Sequence, residues 1–208
     1  MKTQTNMVNV NSGLTGEKPL NVEKKKISQV LENEEIRTII SAVGTGIGSD
    51  FNIEHLKYNK IIIMADADQD GAHIRAILLT FFYRYMRELI NDGHVYVAIA
   101  PLYKIYKKGF EKYVYDEADY DSVVKEAGAG YSVTRFKGLG EMSADQLWET
   151  TMDPNRRVLI RVTIDDVADA EEMISILMGD NVDARKKYIT ANANFNKVDV
   201  FEQRSAKK

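Results

Sequence analysis

The stretch from Lys60 to His73 constrains this chain more than any other. Ile61-Ile62-Ile63-Met64 runs straight into three carboxylates at alternate positions, Asp66, Asp68 and Asp70, and Gly71 follows. Three β-branched residues in a row favour a short strand buried on both faces. After Gly71 the apolar spacing turns helical. A buried strand that ends in clustered carboxylates is a way to build a site for a hard divalent cation. Three negative charges this close in sequence repel one another unless something positive lies among them.

Three readings of Asp66-x-Asp68-x-Asp70-Gly71 compete. An EF-hand calcium loop also starts with this pattern, but it needs a bidentate Glu at position 12, and here that position is Ile77. It also needs a preceding helix, where Ile61-Ile62-Ile63 favours a strand. A plain polar turn would use Asp and Gly, yet three alternating Asp exceed what a turn requires. The third reading is a magnesium site at the C-terminal end of a parallel strand, where open α/β sheets place their ligands. Mg²⁺ keeps several waters and takes one or two carboxylates plus phosphate oxygens. That pattern points to phosphate chemistry.

A periodic reading of the remaining chain gives strands alternating with helices, an α/β class. Residues 1–18 are polar and read as a flexible leader. Ile27, Val30, Leu31, Ile36, Ile39 and Ile40 form a broken helical stripe, ended by Gly44 as a C-cap. Residues 72–90 predict one long, mostly buried helix whose first turn carries His73 and Arg75. A helix N-terminus attracts anions. His73 can bond a phosphate or simply pack, and Arg75 can pair with the Asp cluster or contact phosphate. Val95–Ala100 predicts a strand ended by Pro101. Tyr103–Tyr115 predicts a hairpin around Gly109, its interleaved Tyr and Lys better suited to a half-exposed strand pair than to a nucleic-acid face. Further elements are a helix at 116–127, a strand at 131–136, a helix capped by Ser143, a strand at 158–164, and helices at 165–178 and 182–194. The strand at 131–136 runs into Lys137-Gly-Leu-Gly140, where glycines let backbone come close and Lys137 can face phosphate. Glu141 follows, as a supporting carboxylate or an acid at a helix start. Residues 201–208 read as a disordered tail.

Composition narrows the class. The chain has 208 residues and no cysteine, which excludes disulfides and Cys-ligated zinc and agrees with a cytoplasmic setting. No run approaches ~20 apolar residues, so a membrane span is not expected. A net charge of −3 is not the footprint of an autonomous DNA-binding protein.

Met64-Ala-Asp-Ala-Asp-Gln-Asp-Gly-Ala-His-Ile-Arg75 and Leu78-Leu-Thr-Phe-Phe-Tyr-Arg84 resemble the D-x-D signature of a TOPRIM domain in bacterial type IIA DNA topoisomerases. Arg135-Phe-Lys-Gly-Leu-Gly-Glu-Met142, Gln146-Leu-Trp-Glu-Thr-Thr-Met-Asp-Pro154 and Leu177-Met-Gly-Asp180 are similar to later signatures of their B subunits, those of DNA gyrase and topoisomerase IV. The resemblance covers residues 19–196.

The resemblance implies a Rossmann-like TOPRIM parallel sheet, flanked by helices, over residues 19–104. A C-terminal α+β extension over 105–200 is implied with it. It implies Mg²⁺, or Mn²⁺, held by Asp66, Asp68 and Asp70, with Asp66, Asp68 and Lys137 in the cleavage chemistry. His73, Arg75 and Lys137 would contact phosphate of double-stranded DNA. The nucleophilic tyrosine would come from a partner A subunit, and ATP would act only through domains outside this chain. The family's first motif, a Glu in an E-G-D-S-A-type sequence, has no counterpart here; Glu17 and Glu23 lie nearby in no matching pattern. Two functions therefore stand: part of the DNA cleavage–religation core of a topoisomerase, inactive alone, or a non-catalytic fragment that keeps the fold and the partner surface. An independent magnesium phosphohydrolase fits the Asp pair but not the later signatures. Leu159–Ile164 leans toward topoisomerase IV over gyrase.

Overall fold

The computed structural model describes residues 20–193. The expected leader at 1–18 and tail at 201–208 lie outside them. Two three-stranded sheets organise the chain. The strands are β1 (Ile61–Ile63), β2 (Val95–Ile99), β3 (Tyr103–Lys107), β4 (Phe110–Val114), β5 (Ser132–Arg135) and β6 (Val158–Arg161). The helices are α1 (Ile27–Glu32), α2 (Glu34–Val43), α3 (Gln69–Tyr85), α4 (Arg87–Asn91), α5 (Tyr120–Ala127), α6 (Ala144–Leu147), α7 (Val167–Met178) and α8 (Val182–Asn192).

The first sheet has the order β1-β2-β6. β1 and β2 run parallel, with Ile61 opposite Val95 and Ile63 opposite Val97. β6 pairs antiparallel with β2. Both faces of β1 are covered, which is why its sequence is a continuous apolar run. Ile61 and Ile63 pack with Ile36, Ile39, Leu78, Phe81 and Leu89 on one face. Ile62 and Met64 pack with Ala98 and Leu139 on the other. The sheet is thus mixed, not purely parallel. Tyr83 and Arg84 of α3 then reach α7, so the end of the described chain closes over the helix that follows β1.

The second sheet, β4-β3-β5, is wholly antiparallel. α5 packs on it around the buried Tyr103, Ile105, Val114, Tyr120 and Ala127. The Tyr103 and Tyr120 rings meet edge to face at 5.0 Å. The boundary expected after residue 104 falls inside β3, and β6, from the later part of the chain, belongs to the first sheet. The second sheet is therefore an insertion between two strands of the first.

Two long helices expected from the sequence are each broken in two. Asn33 ends α1 and caps α2, its side chain accepting from the Ile36 N–H at 3.0 Å. Met86 interrupts the helix expected over 72–90 with φ −143° and ψ 43°. The apolar stripe continues through both breaks, so periodicity alone reads one helix. The break at Met86 turns Leu89 and Ile90 into the core. Gly44 has φ +88° and ends α2 as the expected C-cap. Ser143 caps α6 in a capping box with Gln146.

Arg84 pins the first described turn to α3 and α7. Its Nε donates to Glu23 at 2.6 Å and its Nη1 donates to Glu171 at 2.6 Å. The hydrogen bond to Glu23, followed by that to Glu171, holds the Arg84 proton more firmly than usual. In return, the Arg84 hydrogen bond holds the Glu171 carboxyl below its ordinary range. Glu23 is therefore committed to a structural ion pair and takes no part in the carboxylate site.

Candidate functional site

The carboxylate loop lies at the C-terminal end of β1, as its sequence requires, and each Asp has a distinct surrounding. Asp68 caps α3, its Oδ1 accepting from the Gly71 N–H at 2.8 Å. That cap starts the helix at Gln69, three residues earlier than periodicity suggests. Asp70 consequently lies in the first turn, exposed, where the helix dipole favours an acid. His73 and Arg75 move back to the second turn, His73 exposed and Arg75 half-buried. They are not first-turn residues, because Asp68 and not Gly71 sets the helix start.

Asp66 has a different partner. Its Oδ1 accepts from the Leu139 N–H at 2.7 Å across 73 positions of sequence. Leu139 is the apolar anchor of this contact, buried against Ile62 and Met64 on the second face of the sheet. The Lys137-Gly-Leu-Gly140 turn is thereby drawn onto the strand end. A Cβ on Gly138 would lie 3.0 Å from the Asp66 carboxyl carbon and Oδ2, so glycine there lets the carboxylate rest on backbone. Glu141 supports the same turn, its Oε2 accepting from the Lys137 N–H at 2.9 Å.

A cleft of about 380 Å³ opens between the loop and the second sheet. Asp68 and Lys137 both line it, so the structure brings these two sequence candidates together. Arg135, Glu117 and the edge of Tyr103 also line it. The Tyr103 hydroxyl donates to the Glu117 carboxylate. Sequence reasoning missed Arg135 and Glu117 as cleft residues. The available signal for Arg135 was its spacing, two positions before Lys137 on an extended segment, which puts both on one face. Glu117 carried no such signal.

The Tyr–Lys hairpin is a half-exposed strand pair. Lys104 meets Glu111 at 3.0 Å and lies over the Tyr106 and Tyr113 rings. Burial is the largest single influence and disfavours its charge, but Glu111 and Tyr113 together outweigh it and its pKa is raised.

Among the described residues no group of three or more His, Cys, Asp or Glu converges as a metal cage. The donor set still fits a hydrated Mg²⁺. Asp66 and Asp68 each spend one carboxylate oxygen on a backbone N–H and keep another, and Mg²⁺ needs only one or two protein carboxylates.

The family model of the Toprim domain matches residues 6–99, and that of the DNA gyrase B subunit carboxyl terminus matches residues 128–190. The chain is 54% identical over 185 residues to the DNA gyrase B subunit of Treponema denticola, covering 88% of this chain and 29% of that protein. It is 52% identical over 182 residues to the DNA topoisomerase 4 B subunit of Bacillus subtilis, covering 86% of this chain and 28% of that protein. This chain belongs to the family of gyrase and topoisomerase IV B subunits. It spans under a third of the length of these relatives. The Toprim match begins at residue 6, earlier than the resemblance over 19–196. Relatives of both names match almost equally, which gives no support to the lean toward topoisomerase IV. Among the described residues no helix is long and apolar enough to cross a membrane.

Proposed function

We propose that this chain is the magnesium-binding part of the DNA cleavage–religation core of a type IIA topoisomerase, acting with a tyrosine-bearing A subunit on double-stranded DNA. The observation that carries this reading is the hydrogen bond from Leu139 to Asp66, which joins the carboxylate loop to the Lys137 turn. Two signatures far apart in sequence meet at one strand end, beside a cleft that both line.

In this reading Asp66 and Asp68 hold Mg²⁺ or Mn²⁺, and Asp70 contributes through water. The ion would polarise a phosphate oxygen and stabilise charge on the departing oxygen. Lys137 neutralises phosphate from the opposite side of the cleft. His73 and Arg75, one turn into α3, contact the flanking backbone of the duplex. Gly138 lets the Lys137 turn rest against the Asp66 carboxylate, and Gly71 lets α3 start against the Asp66 backbone. ATP belongs to regions outside this chain.

Calorimetry with Mg²⁺ tests the site. The chain should bind with a Kd in the millimolar range, about −4 kcal/mol. The double variant Asp66→Asn plus Asp68→Asn should lose the binding heat. Asn also caps helices well, so α3 should survive the change. Equal heats for wild type and variant would remove the assignment.

Partnership has its own test. The Asp cluster makes chemical sense only when a phosphate and a nucleophile are delivered to it, and a chain of net charge −3 grips DNA poorly alone. A mixture with the A subunit of the same organism should elute as a complex. It should bind DNA at least ~10-fold more tightly than this chain, or about 1.4 kcal/mol, with affinity falling as salt rises. Two folded proteins that fail to associate at micromolar concentration would favour the alternative, a non-catalytic fragment.

A further inference from the structure

We propose that residues 7–10 of this chain add a fourth strand to the first sheet, running parallel to β1 along its outer edge. A buried length of backbone without a partner carries this inference. β1 pairs with β2 in parallel, and the Ile61 N–H donates to the His94 carbonyl at 2.7 Å. In a parallel ladder one residue turns both its N–H and its C=O to one neighbouring strand, and the next residue turns both to the other side. Ile61 and Ile63 therefore bond to β2, and Ile62 presents its N–H and C=O to the outer edge. Ile62 has no exposed surface. Among the described residues nothing pairs with either group. Buried backbone polar groups are almost always paired, so this edge calls for a strand.

Topology says where the occupant comes from. α3 connects β1 to β2 and packs on the face of β1 that carries Ile61 and Ile63. α2 precedes β1 and packs on that same face through Ile36 and Ile39. Crossovers between parallel strands are right-handed in nearly all cases. Two right-handed crossovers over one face step across the sheet in the same direction. A strand that precedes α2 thus belongs on the side of β1 away from β2, which is the open edge. Before α1 the sequence offers one such stretch. Met7-Val8-Asn9-Val10 sets Val8 and Val10 on one face and Asn9 on the other, the alternation of a half-covered edge strand, and Gly13, Gly16 and Pro19 break the chain after it. Ten residues lead from Val10 to Leu20, which packs on the core of the first sheet. Extended, they span ~33 Å, more than the ~14 Å width of a four-stranded sheet. The Toprim match starts at residue 6 and so takes in this stretch, whereas the carboxyl-terminus match stops at residue 190 and leaves the other candidate, Val198-Asp199-Val200, outside. The proposal does not depend on the metal reading.

The test is NMR on the full, isotopically labelled chain, reading cross-strand nuclear Overhauser contacts and amide exchange. Contacts should join residues 7–10 to Ile61, Ile62 and Ile63, and the Ile62 N–H should exchange slowly. Deleting residues 1–11 should speed that exchange by ~10-fold or more, the equivalent of one backbone hydrogen bond. Deleting residues 194–208 should leave it unchanged. If the chain without residues 1–11 does not fold, the contacts in the full chain decide, and Val8→Asp plus Val10→Asp should release the Ile62 N–H by the same factor. Contacts from β1 to residues 198–200 would give the edge to the other end of the chain and overturn the proposal. Contacts seen only between differently labelled copies would give it to a second molecule, with the same result. An Ile62 N–H that exchanges freely in the full chain, or one that stays equally protected without residues 1–11, also overturns it.

Discussion

Phe81→Ala should lower the free energy of unfolding by about 3–5 kcal/mol, the largest single effect expected in this chain. Phe81 has no exposed surface and sits in the C-terminal half of α3. Its ring meets Phe82 at 5.4 Å, edge to face, and Tyr85 at 5.8 Å. It packs in the cluster that joins Ile61 and Ile63 of β1 to Ile36 and Ile39 of α2. Removing the ring loses its transfer free energy and leaves a cavity that rigid neighbours on three elements cannot close. Phe81→Leu keeps most of the volume and should cost less than about 1.5 kcal/mol. Urea melts of the three proteins check this, with the m-value held constant if only the native state changes. A loss below about 1 kcal/mol for Phe81→Ala would mean that the helix is not anchored through this face. The consequence reaches the site, because α3 is the element whose N-terminus Asp68 caps.

The carboxylate loop was legible in the sequence because everything that makes it is local. Three isoleucines give the strand, the alternating acids give the donors, and the following apolar period gives the helix, all within about twenty residues. The Gly44 cap and the Gly109 hairpin were legible for the same reason. The α1–α2 and α3–α4 breaks were not, since the apolar stripe runs through Asn33 and Met86 unchanged and only tertiary packing selects the break. The helix starts three residues before its apolar period does, because Asp68, which the alternating acids mark as a ligand, also caps the Gly71 N–H. The contact of Asp66 with Leu139 joins residues 73 apart, and no local period encodes such a pairing. Resemblance of the two segments to one family suggested that they belong together; the packing of Leu139 onto Ile62 and Met64 is the physical reason they meet. Glu117 stayed invisible because its place in the cleft depends on how α5 and its preceding turn close over the second sheet.

Gly71→Ala should destabilise the chain by about 2 kcal/mol and loosen the carboxylate loop, and two opposing effects decide the sign. In a helix interior Ala is favoured over Gly by about 1 kcal/mol, so propensity alone predicts a stabilised protein. Yet a Cβ on Gly71 would lie 2.1 Å from the Asp66 carbonyl oxygen and 2.7 Å from the Asp66 nitrogen. Both are backbone atoms, so no flexible side chain can swing away. Relief requires shifting either the end of β1, whose residues are buried on both faces, or the first turn of α3, whose cap is the Asp68 hydrogen bond. Overpacking of this kind costs about 3 kcal/mol at the upper end of its usual range, which exceeds the propensity gain. Because the strain falls on the backbone of Asp66 itself, the same change should weaken Mg²⁺ binding along with stability. A control such as Ala72→Gly, on the exposed side of the same turn, should cost about 1 kcal/mol through propensity and leave the loop intact. Thermal and urea melts with Mg²⁺ calorimetry on both variants provide the check. If Gly71→Ala proves as stable as wild type, the close approach of α3 to the Asp66 backbone is not what fixes this loop, and the geometry assigned to the site loses its foundation.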